Sequence, residues 1–372
     1  MCYNHEYRLV LRFAGCFWAH SAMFMLVERK HIMKISQCTL EKYPAMLNTL
    51  DESFSNDPGW FTKNLPHCTP FSEIATPEEI AQHLICEIDG EIAGVTGVYP
   101  LDWVIDGKVV PAYGIGQVCC LPKFRQRGVM SALQKAAEAV MLGQGRVLGM
   151  LGGDRRRYGF FGYDFGGNKL AFYLKKKYLV PYVNGTMPTI RTAQSSDAAR
   201  LKAAYNHLPA RILRSERHWF HHFSRQNGRW LVGELDGRYA YVGYVNPNEI
   251  HEIYGDASIA AAMLLHIIAH ENEGKYISVY YPMQNANHTD MGRMLYDLAS
   301  NVEVQPLDLL SVIDADGLLD VLEIDTSHLD TDKRKALAQR LVGFVHRPLP
   351  VGLEMLEKYS PLCVWKSAMD DI

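Results

Sequence analysis

The stretch 113–163 holds the residues best suited to chemistry. Within it, Lys123-Phe124-Arg125-Gln126-Arg127-Gly128-Val129-Met130 lies between an apolar, β-branched run that stops at Pro122 and a segment, 131–142, rich in Ala, Leu and Met with no helix breaker. The turn 125–131 therefore stands at a helix N-terminus. Backbone N–H groups there have no intrahelical partner, and the aligned peptide dipoles favour negative charge, so a pyrophosphate is a suitable guest. Gly128 lets the backbone approach an anion closely, and Arg125 and Arg127 add positive charge. Gln126, Val129, Met130 and Ser131 complete the turn. The plain alternative is a structural strand-to-helix loop with surface arginines.

Two other patterns suggest chemistry and fail on spacing. Gly114-Ile115-Gly116 begins like a dinucleotide-binding fingerprint, but the third glycine is missing and the pair precedes the core of its strand. His266 and His270 stand four apart, as metal ligands on a helix do, and His218, His221 and His222 cluster in a similar way. Neither set has the His-Glu-x-x-His order or a third ligand close in sequence. The expectation is surface or interdomain histidines and no metal.

The elements that must position the turn follow from periodicity and punctuation. The run 113–121 reads as a buried strand, and 146–151, after the helix stop Gly143-Gln144-Gly145, as the strand beside it. Ahead of them come a strand from Lys34, a helix over about 40–54 and an aromatic loop through Trp60 and Phe61. Thr76-Pro77-Glu78-Glu79 is a capping box with proline at the first helical position, which predicts a short helix to about His83. Asp89-Gly90 and Asp106-Gly107 mark hairpins, so 84–87, 93–99, 103–105 and 109–116 form a mostly antiparallel sheet, with closing strands in 165–175. Adjacent Cys119 and Cys120 point to opposite faces of their strand and take packing roles.

After a linker at 181–185 the plan repeats. A strand at 189–192 leads to a helix at 195–205, an Asp236-Gly237 hairpin, a helix over 256–273 capped by Asp256 and closed by Gly274, and a strand at 276–281. This copy has no anion-binding turn, because Tyr254-Gly255-Asp256 offers a carboxylate where a phosphate needs a cation. From about 307 come a strand, helices near 315–322 and 331–341, and a tail marked by Pro348 and Pro350.

The segment 118–130 resembles the acetyl-CoA site of the GNAT acetyltransferase superfamily, whose pattern is Arg or Gln, two residues, Gly, one residue, then Gly or Ala, after a strand ending in Pro. Arg125, Gly128 and the run to Pro122 match it. Met130 departs at the last position, as is usual in the branch related to the enhanced intracellular survival acetyltransferases. That branch also carries Tyr-Gly-x-Phe-Gly-Tyr, which stands here as Tyr158-Gly159-Phe160-Phe161-Gly162-Tyr163 after Leu151-Gly152-Gly153-Asp154.

The resemblance implies an α+β fold of tandem GNAT-like domains, with mixed, mostly antiparallel sheets flanked by helices, plus a small C-terminal α/β region. On it, residues 1–32 are a non-family extension and 33–178 the catalytic domain. Residues 186–300 form a second GNAT-like domain without the cofactor turn, and 301–372 a reduced C-terminal domain and tail. It also implies acetyl-CoA as donor, with the pantetheine arm along Val118, Cys119 and Cys120 between two splayed strands, and Gly153 and Asp154 nearby. The acceptor is then an amine of a small molecule or peptide, attacking directly.

Such a transfer needs a neutral amine, a polarised carbonyl and a protonated leaving thiolate. Backbone N–H groups at a bulge in the first strand meet the second need. Tyr158 stands where the family places its proton donor, and a phenol of pKa about 10 can protonate a thiolate whose acid has pKa about 8.5. For the base the resemblance points to the carboxylate of Ile372, with water or a side chain as the alternative. Hexamers occur in the branch, which leaves a homo-oligomer open. The competing functions are an acyl-CoA-binding regulator without turnover and an interaction scaffold.

Composition sets the outer bounds. A chain of 372 residues is long enough for two or three domains, and 48% hydrophobic with 21% charged residues is ordinary for a soluble globular protein. A net charge of -3 and the lack of any long Lys/Arg block argue against nucleic acid as a partner. Eight cysteines with no CxxC pair suggest reduced thiols and a cytoplasmic setting. The apolar run 13–27, interrupted by His20 and Ser21, falls short of the roughly 20 residues of a membrane span, so no membrane partner is expected.

Overall fold

The computed structural model describes residues 24–28, 31–105, 107–183, 185–208, 210–272, 276–283, 289–344 and 366–370. Most of the apolar run 13–27, Asp106, Gly274, the prolines 348 and 350, and Ile372 lie outside these residues.

Turn chemistry sets much of the topology. Asp89 and Gly90 both take positive φ (54° and 85°), as do Asp236 and Gly237 (49° and 74°), the backbone a tight two-residue hairpin requires. The first pair joins β3 (His83–Ile88) to β4 (Glu91–Pro100) after β1 (Phe24–Glu28) and β2 (His31–Gln37). Then follow β5 (Trp103–Ile105), β6 (Lys108–Val110), β7 (Ala112–Cys120), β8 (Leu148–Leu151) and β9 (Asp164–Lys175). Pro111, which cannot donate to a ladder, divides the expected strand 109–116 into β6 and β7. The second half contributes β10 (Thr189–Thr192), β11 (Ala210–Ile212), β12 (Arg229–Leu235), β13 (Arg238–Asn246), β14 (Glu249–Gly255), β15 (Tyr276–Pro282) and β16 (Ala299–Val312).

Thirteen of these strands form one mixed sheet in the order β1-β2-β3-β4-β7-β8-β16-β9-β15-β14-β13-β12-β10. Its two parallel pairs are β7–β8 and β14–β15, each joined through a long helix, Val129–Gly143 in the first case and Ala257–His270 in the second. The repeated plan read from the sequence is thus visible as two strand-helix-strand crossovers in one α+β sheet.

The strand expected from about 307 begins earlier, at Ala299, and threads between β8 and β9, with Leu309 opposite Leu151 on one side and Phe165 on the other. β9 then pairs with β15, Lys175 opposite Tyr276, which carries the ladder from one half to the other. A second link is the small sheet in which β11 pairs with β5.

The helix Val129–Gly143 lays Leu133, Ala137 and Met141 on one face of the sheet, and the helix Tyr43–Phe54 lays Met46 and Leu50 on the other. Burying such side chains stabilises by roughly 1.5–3 kcal/mol each. The turn between β7 and the first of these helices is therefore anchored on both sides. Among the described residues no helix is long and apolar enough to cross a membrane.

Candidate active site

β7 and β8 pair only from Ala112 opposite Leu148 to Gly114 opposite Met150, while β7 continues to Cys120. Past Gly114 the two strands diverge. A cleft of about 570 Å³ opens there, lined by Ile115, Gln117, Val118, Gly153, Tyr158 and Lys366 among others. The unpaired length of β7 presents backbone groups to it.

The other edge of β7 carries a bulge. Cys119 sits opposite Val95 and Gly116 opposite Gly97, so Gln117 and Val118 together face Thr96, and Gln117 takes φ 53°. Its side chain is held from behind. Tyr99 donates to Gln117 Oε1 at 2.5 Å and bonds His83 Nε2 at 2.9 Å, all three residues being buried. Among the described residues Gln117 Nε2 has no hydrogen-bond partner, although the residue is only 6% exposed.

At the C-terminal end of β7 the chain makes a short 3-10 turn, Pro122–Phe124, and then two left-handed residues, Gln126 (φ 65°) and Gly128 (φ 79°), before the helix begins at Val129. No side chain caps that helix. Arg125, Gln126, Arg127, Gly128 and Ser131 are exposed, whereas Val129 is buried and Met130 packs against the same core, so the last two offer only their N–H groups. Arg127 lies over the Phe124 ring at 5.4 Å, which holds its charge beside the turn.

Across the cleft, β8 ends at Leu151 and passes through Gly153 (φ 151°) to Asp154, whose side chain accepts from Arg156 N at 2.8 Å and caps the single turn Arg155–Tyr158. That turn places Tyr158, 6% exposed, on the cleft wall, with Tyr163 packed edge-on against its ring. A Cβ on Gly153 would meet Tyr158 Cε2 at 2.8 Å, so the lack of a side chain there is what admits the phenol ring.

Residues 34–166 match the family model described as an acetyltransferase (GNAT) domain. That segment is a GNAT domain. The fold extends the likeness beyond that segment. A GCN5-related N-acetyltransferase from Kribbella flavida superposes with TM-score 0.57 at 17% identity, covering 77% of this chain and 72% of that one. A probable N-acyltransferase from Enterococcus faecalis gives TM-score 0.58 at 17% identity, covering 77% and 74%. Eis1 from Mycobacterium abscessus gives 0.53 at 14%, covering 78% and 75%. No curated protein matches the sequence significantly. Acyl transfer is the general chemistry that belongs to the GNAT domain.

Within that domain the cysteine pair divides as expected. Cys119 packs with Met46 and Leu50 under one helix and Cys120 against the other core. Burial pushes the Cys119 thiol up to about 11 and raises that of Cys120, the latter opposed by Arg125, so neither is a ready thiolate. Of the arginine run, Arg155 is paired with Asp164 and Arg157 lines the cleft.

The second crossover repeats the divergence. β14 and β15 pair at only two positions, Glu249 with Ser278 and Ile250 with Val279. There, however, Asp256 accepts from Ser258 N and Ile259 N at 3.0 and 3.1 Å and fills the helix N-terminus with its own carboxylate. An internal anion takes the place a phosphate would need.

Of the residues singled out from sequence, Val118, Gly153, Asp154 and Tyr158 share the cleft, and the turn Arg125–Ser131 stands at the end of β7. Of the histidines read as surface or interdomain, His221 and His222 are buried, and His221 reaches Glu79 of the first unit at 3.1 Å. Sequence reasoning missed Gln117, Tyr99 and His83, as well as Lys169, Asp308 and Lys366 on the cleft wall. Only His83, a lone imidazole at the head of an apolar run, left a signal.

Proposed function

We propose that the chain is an acetyl-CoA-dependent N-acetyltransferase that acetylates an amine of a small molecule or peptide by direct attack. The observation that carries this is the divergence of β7 from β8 between an uncapped, arginine-flanked helix start and Tyr158. The N–H groups at Val129, Met130 and Ser131, with Arg125 and Arg127, receive the pyrophosphate. The free edge of β7 through Val118 to Cys120 receives the amides of the pantetheine arm, as an added strand would be received. Bound there, acetyl-CoA supplies an activated acyl carbonyl.

The chain's own groups then act on it. The bulge N–H groups at Gln117 and Val118 are donors for the carbonyl oxygen as negative charge grows on it. The amine nitrogen forms the new C–N bond as the C–S bond breaks, and the Tyr158 hydroxyl gives its proton to the departing sulfur. The amine's own proton passes to a base, which we assign to the carboxylate of Ile372. Ile372 lies outside the described residues, and the assignment is the one the family resemblance implies; Lys366, six positions earlier, lines the cleft.

A panel of amines assayed for CoA release with acetyl-CoA tests the proposal. Turnover with at least one amine, lost in Tyr158→Phe while CoA binding persists, is the expected result. CoA that binds without turnover by any amine would leave a regulator, and no CoA binding at all would reject the site.

A further inference from the structure

Outside the cleft, the densest cluster of titratable side chains lies between the helix Glu216–Ser224 and the C-terminal segment. His218 and His222 stand one helical turn apart and on the same side. Asp370 reaches them from 148 positions beyond His222 in sequence. His218 Nε2 lies 3.2 Å from Asp370 Oδ1, and ligand atoms of all three residues lie within 4.8 Å of one another.

His222 is the unusual member. Its side chain is fully buried against Trp219 and Trp230, and among the described residues neither ring nitrogen has a hydrogen-bond partner, the nearest carboxylate oxygen being Glu252 Oε1, 4.0 Å from Nε2. Leaving a buried polar atom unsatisfied costs about 1–3 kcal/mol, so a fold that keeps such an imidazole gains if something binds it.

We propose that His218, His222 and Asp370 hold a divalent transition-metal ion of the zinc class. A tetrahedral ion with bonds of about 2.0–2.2 Å sets its ligand atoms about 3.4 Å apart. The separation of His218 and Asp370 already suits an ion between them, in place of their hydrogen bond, and a small rotation brings in His222. Two imidazoles and one carboxylate favour zinc-like ions over magnesium or calcium, which take oxygen ligands.

Arg214 fits as the group that orients the carboxylate, since it donates to both oxygens of Asp370 and also bonds Glu252. Two carboxylates, Asp370 and Glu252, face the single Arg214 guanidinium, so a divalent cation is electrostatically admissible beside them. The ion would fasten the segment Lys366–Asp370, whose Lys366 lines the cleft, to the second half of the chain.

The test uses the full chain, stripped with a chelator, incubated with Zn²⁺ and passed through gel filtration. The expected result is one zinc retained per chain, a tetrahedral absorption spectrum when Co²⁺ replaces it, and a higher melting temperature than the stripped protein. His218→Gln and His222→Gln should each weaken Zn²⁺ binding by more than about 100-fold, beyond what loss of an orienting neighbour costs. His218 is the safer variant should the buried position not tolerate change. His266→Gln, in the other pair at the same helical spacing, should leave the tight equivalent in place. Failure of the wild-type chain to retain zinc, or an undiminished equivalent in His218→Gln, overturns the proposal.

Discussion

At the residue scale the proposed chemistry turns on one phenol. Burial raises the Tyr158 pKa and Arg157 works against that, so the hydroxyl keeps its proton through the neutral range. A donor whose pKa is raised loses activity only when pH climbs past that value. The rate should therefore show no falling limb from Tyr158 below about pH 10, the ordinary phenol value. Tyr158→Phe should lower kcat by about 100-fold or more with little change in KM for acetyl-CoA, the pattern of a lost proton donor and not of lost binding. Steady-state rates at several pH values check both outcomes. Tyr158 was legible because an aromatic-glycine pattern surrounds it. Gln117 was not, because its distinction lies in a left-handed backbone within a strand and in contacts to Tyr99 and His83, which no local pattern announces.

At the element scale the N-terminus of the helix Val129–Gly143 is the proposed binding device. Gly128 holds φ 79°, a conformation that costs a residue with a Cβ roughly 1–2 kcal/mol. Gly128→Val should raise KM for acetyl-CoA by about tenfold, since 1.4 kcal/mol is a factor of ten, while kcat at saturation stays close to wild type. Initial rates across donor concentration decide it. The equivalent helix in the second half shows why the sequence could reject that copy: an Asp at the N-cap is both a local signal and a physical plug.

A second device belongs to β3. His83, fully buried, has its pKa lowered from 6.5 to about 4, chiefly by desolvation. A depressed histidine contributes stability above its unfolded pKa, which is lost as pH falls toward the folded one. The stability lost between pH 6.5 and 4 should be on the order of 3–4 kcal/mol. Urea unfolding across that range should show the slope, and His83→Gln should flatten it.

At the scale of the whole molecule, sequence patterns gave the parts and not their order. Hairpins, caps and crossovers are local, so Asp89-Gly90, the Thr76–Glu79 capping box and the helix Thr331–Leu341 could all be read directly. The insertion of β16 between β8 and β9 pairs residues well over a hundred positions apart, and nothing in the local pattern at 299–312 says which edge that strand will fill. The same holds for the C-terminal segment, whose place is set by ionic contacts.

Arg214, with its side chain fully buried, bonds Glu252 of β14 and Asp370 of that segment, and its guanidinium lies over Tyr205 at 4.0 Å. Burial pushes the Glu252 pKa upward, as two carboxylates share a single guanidinium out of water. Removing the cation from such a group leaves uncompensated charge, at a cost of about 3–5 kcal/mol. The pair Lys108–Glu323 also joins distant parts of the chain, but Glu323 is 79% exposed, so its loss should cost about 1 kcal/mol or less. Arg214→Met should therefore lower the denaturation midpoint far more than Lys108→Met, although each removes one cation. Because Arg214 anchors the segment that carries Lys366 to the cleft wall, Arg214→Met protein that still folds should also lose turnover. Urea titration beside initial rates separates the two effects, and equal midpoints for the two variants would show that the buried cluster does not hold the C-terminal segment in place.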